Sequence, residues 1–237
     1  MFSAGYEGYV VPMHIDETIL ARMQDTLDVD LDASRIAYRD GAAVGFANLA
    51  VRLDEAWVGG VGVIASARRS GVGETLMEAI HEQARERGIK RVWLEVIVEN
   101  TGAFALYEKL GYRTVQDVEV WTLPAAEGEP GGREVPPAEA KALLPEKHEP
   151  WQRASGTLAN NEDVRGFVTD TGAALFGVGS IVQLLQYTGE SEPIVSGLRT
   201  FGDIMVLNLP ADDPAAAVLR ELGGTVTVRQ HEMVLDL

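Results

Sequence analysis

At 237 residues and 46% hydrophobic side chains, the chain is long enough for one large domain or two moderate ones with real cores. A formal charge of −16 argues against nucleic-acid binding, which needs clustered Lys and Arg, and suits either simple solubility or an acidic enzyme with a basic small substrate. The absence of cysteine excludes disulfides, thiolate nucleophiles and thiolate-ligated metals.

The N-terminal residues lack the basic and apolar segments of a secretory leader, and the longest apolar stretch, Ala173 to Leu185, is broken by Gly177, Gly179 and Gln183. The expectation is a soluble, cytoplasmic protein with no membrane partner, as a monomer or a homodimer.

In chain order, Tyr9-Val10-Val11 ahead of Pro12 reads as a short strand, because proline keeps the residue before it extended. Ile19, Leu20 and Met23 recur at helical spacing after an acidic start, which predicts a helix over 16–23. Asp28, Asp30 and Asp32 then alternate with apolar residues up to Ser34. That stretch reads either as a solvated loop capping the next element or as the lining of a site for a cationic amine. Asp40-Gly41, between apolar runs at 35–38 and 43–51, predicts a tight hairpin.

A glycine-rich strand from Trp57 runs out at Val63-Ile64 into Arg68-Arg69-Ser70-Gly71-Val72-Gly73, at the mouth of a helix expected over 72–87 with Gly88 as its left-handed stop. Strand, glycine loop and helix start together outline an anion site. The first turn of a helix leaves N–H groups unpaired and carries about half a positive charge. Glycines at 71 and 73 let an anion approach that backbone without a Cβ in the way. Val92 to Val98, interrupted by Glu95, reads as a strand buried on both faces. A short helix with Ala103, Leu106, Tyr107 and Leu110 ends at Gly111, and Thr114 to Leu123 forms the strand that closes this half.

Six of the ten prolines fall between Pro124 and Pro150, which marks a boundary whose core, 124–132, is expected to be a linker. Beyond it the chain weakly repeats itself. Residues 133–144 echo 9–23, Val168 to Ala174 echo Tyr38 to Ala43, Ile204 to Leu209 echo Val92 to Ile97, and Ala217 to Val226 echo Ala105 to Thr114. The second copy is short where the glycine loop and its helix should stand. It reads as a degenerate copy without a phosphate loop, or as an unrelated α+β domain.

The order of elements over residues 1–123 and two motifs resemble the GNAT superfamily of acyl-CoA-dependent N-acyltransferases. Its pyrophosphate motif after the fourth strand stands as Arg68-Arg69-Ser70-Gly71-Val72-Gly73. Its second signature stands as Asn100 after the fifth strand, then Ala103 and Tyr107, closing with Leu110-Gly111-Tyr112. The resemblance implies a mixed α/β sheet with splayed central strands over residues 1–123, followed by a smaller GNAT-like α+β domain over 133–237. It implies acetyl-CoA as co-substrate, no metal, and a small-molecule or peptide amine as acceptor.

The same resemblance assigns Gly62, Val63 and Ile64 to the backbone edge that pairs with the pantetheine arm, with Gly62 helping a bulge. Residues Arg68, Arg69, Ser70, Gly71, Val72, Gly73 and Glu74 then hold the pyrophosphate, and Asn100, Ala103 and Tyr107 complete the cofactor site. Tyr107 stands where the family keeps a general acid for the leaving thiolate, although an aromatic at this spacing is also ordinary core. Asn100 is set to hydrogen-bond the pantetheine arm or a water, and Asn is also an ordinary helix cap. A backbone N–H near Val63 is the expected oxyanion donor.

Family members that keep a glutamate within the fourth strand have it near position 57, where this chain has Trp57. Glu55 and Glu95 are the nearest carboxylates; either serves as base directly or through water, or a neutral amine needs none. Glu95 also reads as a sheet-edge partner for a surface cation. The missing glutamate motivates the alternative of a non-catalytic acyl-CoA-binding module whose second domain contacts a protein partner, with the loop Leu198 to Asp203 as contact or as a simple turn. The four histidines are scattered, and neither a Gly-x-Ser-x-Gly elbow nor a nucleotide-type Gly-Lys-Ser/Thr occurs.

Overall fold

The computed structural model describes residues 16–237, so the strand expected at Tyr9-Val10-Val11 lies outside the described residues. The chain forms two compact units, one of residues up to Val115 together with His231–Leu237 and the other of Gln116–Gln230.

In the first unit, helix α1 (Glu17–Leu27) starts where Asp16 Oδ1 accepts the Ile19 N–H at 2.8 Å, and ends at left-handed Asp28. Strands β1 (Val29–Arg39) and β2 (Ala42–Arg52) form the expected hairpin. Its turn residues Asp40 and Gly41 both have positive φ, 51° and 78°, as a two-residue hairpin turn requires. Residues 29–32 are therefore strand rather than loop, and Asp28 and Asp30 are taken up by ion pairs rather than gathered around an amine site. Asp28 pairs with Arg52 and Asp30 with Arg87. Asp30 Oδ1 also accepts the N–H groups of Asp32 and Ala33, at 2.8 and 3.1 Å, where the β1 register slips.

Strand β3 (Glu55–Val63) is followed by a 3-10 turn at Ala65–Ala67, helix α2 (Val72–Glu86), strand β4 (Arg91–Ile97), helix α3 (Thr101–Lys109) and strand β5 (Arg113–Leu123). Leu76, Met77, Ile80 and Ala84 of α2 pack on Ala47, Leu49, Val58, Val92 and Leu94, so the apolar face read from the helical period covers one face of the sheet. Both helices stop at glycines in the left-handed region, Gly88 at φ 74° and Gly111 at φ 94°.

The second unit continues with β6 (Arg133–Val135), α4 (Pro137–Lys141), α5 (Ser155–Ala159), β7 (Val164–Val168), β8 (Gly172–Val178), β9 (Val182–Gly189), α6 (Ser191–Leu198), β10 (Ile204–Pro210), α7 (Pro214–Glu221) and β11 (Thr225–Asp236). Strand order is β1-β2-β3-β4 in the first unit, with the end of β11 beside β4, and β10-β9-β8-β7-β6 in the second, with residues 116–123 of β5 beside β10. Each unit contains both parallel and antiparallel strand pairs. Among the described residues no helix is long and apolar enough to cross a membrane.

This partition differs from the expected one of 1–123, 124–132 and 133–237 in three respects, the first being that the second unit begins at Gln116, within β5. The end of β11 belongs to the first unit because Met233 is fully buried in that core, with Leu235 and Leu237 packed against it. The Leu237 N–H also donates to Lys90 O at 2.8 Å. Nor is 124–132 a free linker. Ala125 N–H donates to Asp203 Oδ1 at 2.8 Å and Ala126 N–H to Arg199 O at 3.0 Å, which ties the segment to the second unit.

The internal echoes fall on corresponding elements: the β7–β8 turn matches the β1–β2 turn, β10 matches β4, and α7 with β11 matches α3 with β5. The second copy does keep a helix after its central strand. It is α6, shorter than α2, and Glu190 alone joins it to β9 where the first copy spends an eight-residue loop at 64–71. Pro193 and Gly197 hid this helix from the periodicity reading. In the loop 198–203, Phe201 remains exposed and its ring stacks on Phe176 with ring centroids 5.7 Å apart.

Candidate functional site

Strands β3 and β4 run parallel but pair only at Glu55↔Arg91, Ala56↔Val92 and Trp57↔Trp93. Beyond Trp57, β3 continues to Val63 with β2 as its recorded partner, as far as Gly45↔Val63. The two strands therefore part, and the backbone of β3 from Val58 to Val63 turns an unladdered edge toward the gap. Such an edge is a template for another extended chain.

The irregularity beside this gap lies at Gly59, between Leu49↔Val58 and Asn48↔Gly60, and not at Gly62 as the sequence suggested. Gly62 has another reason to lack a side chain. The Phe46 ring lies across it, and a Cβ there would sit 2.3 Å from Phe46 Cε1. Val63 and Ile64 end the strand, with Ile64 N–H bonded to Val44 O at 3.0 Å.

The glycine loop follows directly. Arg68 Nε donates to Val63 O at 2.9 Å, which folds that side chain back onto the strand end. Ser70 Oγ donates to Ala67 O at 2.7 Å and accepts from Arg39 Nη2 at 2.8 Å, so the hydroxyl braces the loop. Arg69 and Gly71 both have positive φ, 58° and 85°, a backbone alternation that turns successive N–H groups toward one side. A Cβ at Gly71 would meet nothing within 4 Å, so the approach to this backbone is open. The first α2 bond runs from Thr75 N–H to Gly71 O at 3.0 Å, which leaves Val72, Gly73 and Glu74 as the donor-rich first turn. Glu74 would oppose an anion there, but its carboxylate pairs with Lys109 Nζ at 2.6 Å. Lys109 and Arg39 carried no sequence signal, because their partners are long-range.

Helix α3 lies beside the loop: the position of a Gly73 Cβ is 3.6 Å from Leu106 Cδ2 and 4.0 Å from Val63 Cγ2. Asn100 caps α3, its Oδ1 accepting the Ala103 N–H at 3.2 Å. Tyr107 is 8% exposed and belongs to the core that includes Leu76 and Met77. The loop, the end of β3 and α3 thus lie together.

The two carboxylates separate. Glu55 pairs with Arg91 Nη2 at 3.0 Å at the closed end of the β3–β4 pair, the length of the strand away from Val63. Glu95 follows the last paired residue of β4 by two, at the mouth of the gap. Its Oε2 accepts the Trp57 indole N–H at 2.8 Å, where the sequence suggested a surface cation. Trp57 thus holds a glutamate of the next strand. The signal was present in the sequence, a Trp for a Glu with a Glu inside the following strand, but reading it required the parallel register.

Behind the site, His81 of α2 and Tyr112 are buried, with His81 Nε2 2.8 Å from the Tyr112 hydroxyl. Burial, with Arg85 nearby, pushes the His81 pKa down to about 4, and burial with Tyr107 alongside pushes Tyr112 well above the usual tyrosine value.

Residues 9–112 match the Acetyltransferase (GNAT) family model. The chain is 38% identical over 74 residues to the [Ribosomal protein bS18]-alanine N-acetyltransferase of Escherichia coli K12, covering 31% of this chain and 50% of that protein. It therefore spans about half the length of that relative. It is 29% identical over 116 residues to the aminoglycoside N(6')-acetyltransferase type 1 of Salmonella typhimurium LT2, covering 45% of this chain and 80% of that protein. A tandem GNAT protein from the clavulanic acid biosynthesis pathway shares the fold over 99% of this chain and 92% of its own, with TM-score 0.62 and 14% identity. Residues 9–112 are thus similar to the Acetyltransferase (GNAT) family, and over its full length the chain has the fold seen in a tandem GNAT protein.

Proposed function

We propose that the first unit transfers an acetyl group from acetyl-CoA to a primary amine of a small molecule or peptide, with one co-substrate site per chain. The observation that carries this reading is the end of β3–β4 pairing after Trp57↔Trp93, which leaves residues 58–63 of β3 unpaired with β4 up to the glycine loop. The features present suit the co-substrate: an open strand edge for its amide-rich arm, an open approach at Gly71, and a helix start for its pyrophosphate. Acetyl-CoA supplies a thioester, an activated acyl group with a thiolate as leaving group.

The chain's own groups then divide the work. Backbone N–H groups of residues 69–74 hold the pyrophosphate in a protein whose net charge would repel it, with Lys109 cancelling Glu74. Asn100 uses Oδ1 for the helix cap, and its amide N–H groups serve the arm. Glu95, oriented by Trp57, takes the proton of the attacking amine directly or through a water. A backbone N–H near Val63 stabilises the charge that develops on the carbonyl oxygen. As the carbon–sulfur bond breaks, the Tyr107 hydroxyl donates its proton to the leaving sulfur. Both relatives named above are N-acetyltransferases by name, which supports an amine acceptor without choosing it.

A thiol reagent reads released CoA without protein background, because the chain has no cysteine. Screened against amino acids, peptides, polyamines and aminoglycosides, the protein should release thiol with at least one acceptor. Tyr107→Phe should lower kcat by about 100-fold while acetyl-CoA affinity holds. Tight acetyl-CoA binding with no thiol release from any acceptor would instead favour a binding module.

A further inference from the structure

We infer that His81 is a positioning residue for Tyr107, acting through Tyr112: the three side chains tie the helix that opens at the phosphate loop to the helix that carries the proton donor. The inference rests on the reading of Tyr107 as the acid.

The tie begins in the backbone. Helix α3 ends with Gly111 in the left-handed region, Gly111 N–H bonded to Glu108 O at 3.0 Å and Tyr112 N–H to Tyr107 O at 3.0 Å. This is the Schellman arrangement, in which the residue after the left-handed glycine characteristically packs on the residue whose carbonyl it binds. Here those two residues are Tyr112 and Tyr107, with ring centroids 5.8 Å apart. The cap thus fixes Tyr107 against Tyr112 by a hydrogen bond and a ring contact at once.

The second link runs to α2. The Tyr112 hydroxyl meets His81 Nε2 at 2.8 Å, and the His81 ring lies 5.5 Å from the Tyr112 ring. His81 is 4% exposed and Tyr112 also 4%, so neither hydroxyl nor imidazole has bulk water to fall back on, and losing one leaves the other a buried orphan. His81 stands eight residues along the helix from Gly73, about 12 Å at the helical rise. The spacing between the phosphate-holding turn and the Tyr107 side chain is therefore set through a rigid helix, one side-chain hydrogen bond and one cap. An apolar pair would fill the same core but leave the rotation of α3 about its axis undetermined.

The test is a double-mutant cycle on turnover, using the best acceptor from the thiol-release panel. His81→Leu should lower kcat by about tenfold with KM for acetyl-CoA unchanged, the penalty of a slightly misplaced donor. His81→Gln, which keeps a nitrogen near Nε2, should recover part of that loss. In a Tyr107→Phe background, His81→Leu should cost nothing further, because the group it positions is gone. An equal loss in both backgrounds would make His81 merely structural and overturn the inference. If Tyr107→Phe itself leaves kcat unchanged, the acid reading fails, and the inference falls with it for that separate reason. Should His81→Leu not fold, Tyr112→Phe, which keeps the ring and the cap, replaces it in the same cycle with the same two outcomes.

Discussion

One added carbon at Gly62 should shift the edge of β3 on which the co-substrate reading depends. The new methyl would lie 2.3 Å from Phe46 Cε1, 2.8 Å from Cζ and 3.1 Å from Cδ1. Phe46 is 1% exposed, so its ring has no free space to rotate into, and either the ring or the strand must move. Overpacking of this kind costs about 1–3 kcal/mol, which corresponds to a fall of roughly 3–10 °C in melting temperature for a unit of this size. A displaced Gly62 carries Val63 and Ile64 with it, so Gly62→Ala should also weaken acetyl-CoA binding. Urea denaturation and calorimetric titration measure the two effects. Gly73→Ala is the matched control: its methyl would meet Leu106 Cδ2 at 3.6 Å and Val63 Cγ2 at 4.0 Å, ordinary contacts within a right-handed helix, and stability should hold or rise by up to about 1 kcal/mol. Phe46→Leu added to Gly62→Ala should restore part of the lost stability. If Gly62→Ala melts with the wild type and binds acetyl-CoA equally well, the packing of Phe46 over this edge does not constrain the strand and the reasoning is refuted.

Trp57→Phe removes the N–H that holds Glu95 while keeping an aromatic ring, and should lower kcat by about tenfold with little change in acetyl-CoA affinity; unchanged turnover would remove Glu95 from the mechanism. Stability should also fall on acidification because of His81. Its folded pKa of about 4 lies below the ordinary histidine value, so between pH 6.5 and 4 the unfolded chain binds a proton that the folded chain refuses. The contribution is fully present above about pH 6.5 and is lost progressively, up to about 3 kcal/mol, as pH falls through 4. Denaturation curves across that range should steepen this loss relative to His81→Leu; parallel profiles would refute it.

What the sequence made legible was local. Asp40-Gly41 announced its hairpin because a two-residue turn needs positive φ at both positions, and Gly88 and Gly111 announced helix ends for the same reason. The glycine loop could be read because an anion site at a helix start is made of backbone, so few side chains need to converge from afar. The rest depended on register. The Trp57–Glu95 hydrogen bond joins residues 38 apart through a parallel pair, and no periodicity reports which residues face one another there. No local pattern at the end of the chain names the core that receives it, where Met233 is buried with Leu235 and Leu237 packed against the same cluster. The bulge was expected at Gly62 because glycines mark bulges; three glycines stood close together in the strand, and only the pairing with β2 singles out Gly59.

The central claim is that the glycine loop beside the parted strands β3 and β4 is the chain's acetyl-CoA site. Calorimetric titration of acetyl-CoA into the wild type and into Gly73→Asp tests it most directly, because the added carboxylate would enter the phosphate-holding turn itself. The account predicts one molecule bound per wild-type chain and none detectable with Gly73→Asp. Equal binding by both proteins, or two molecules per wild-type chain, would contradict it.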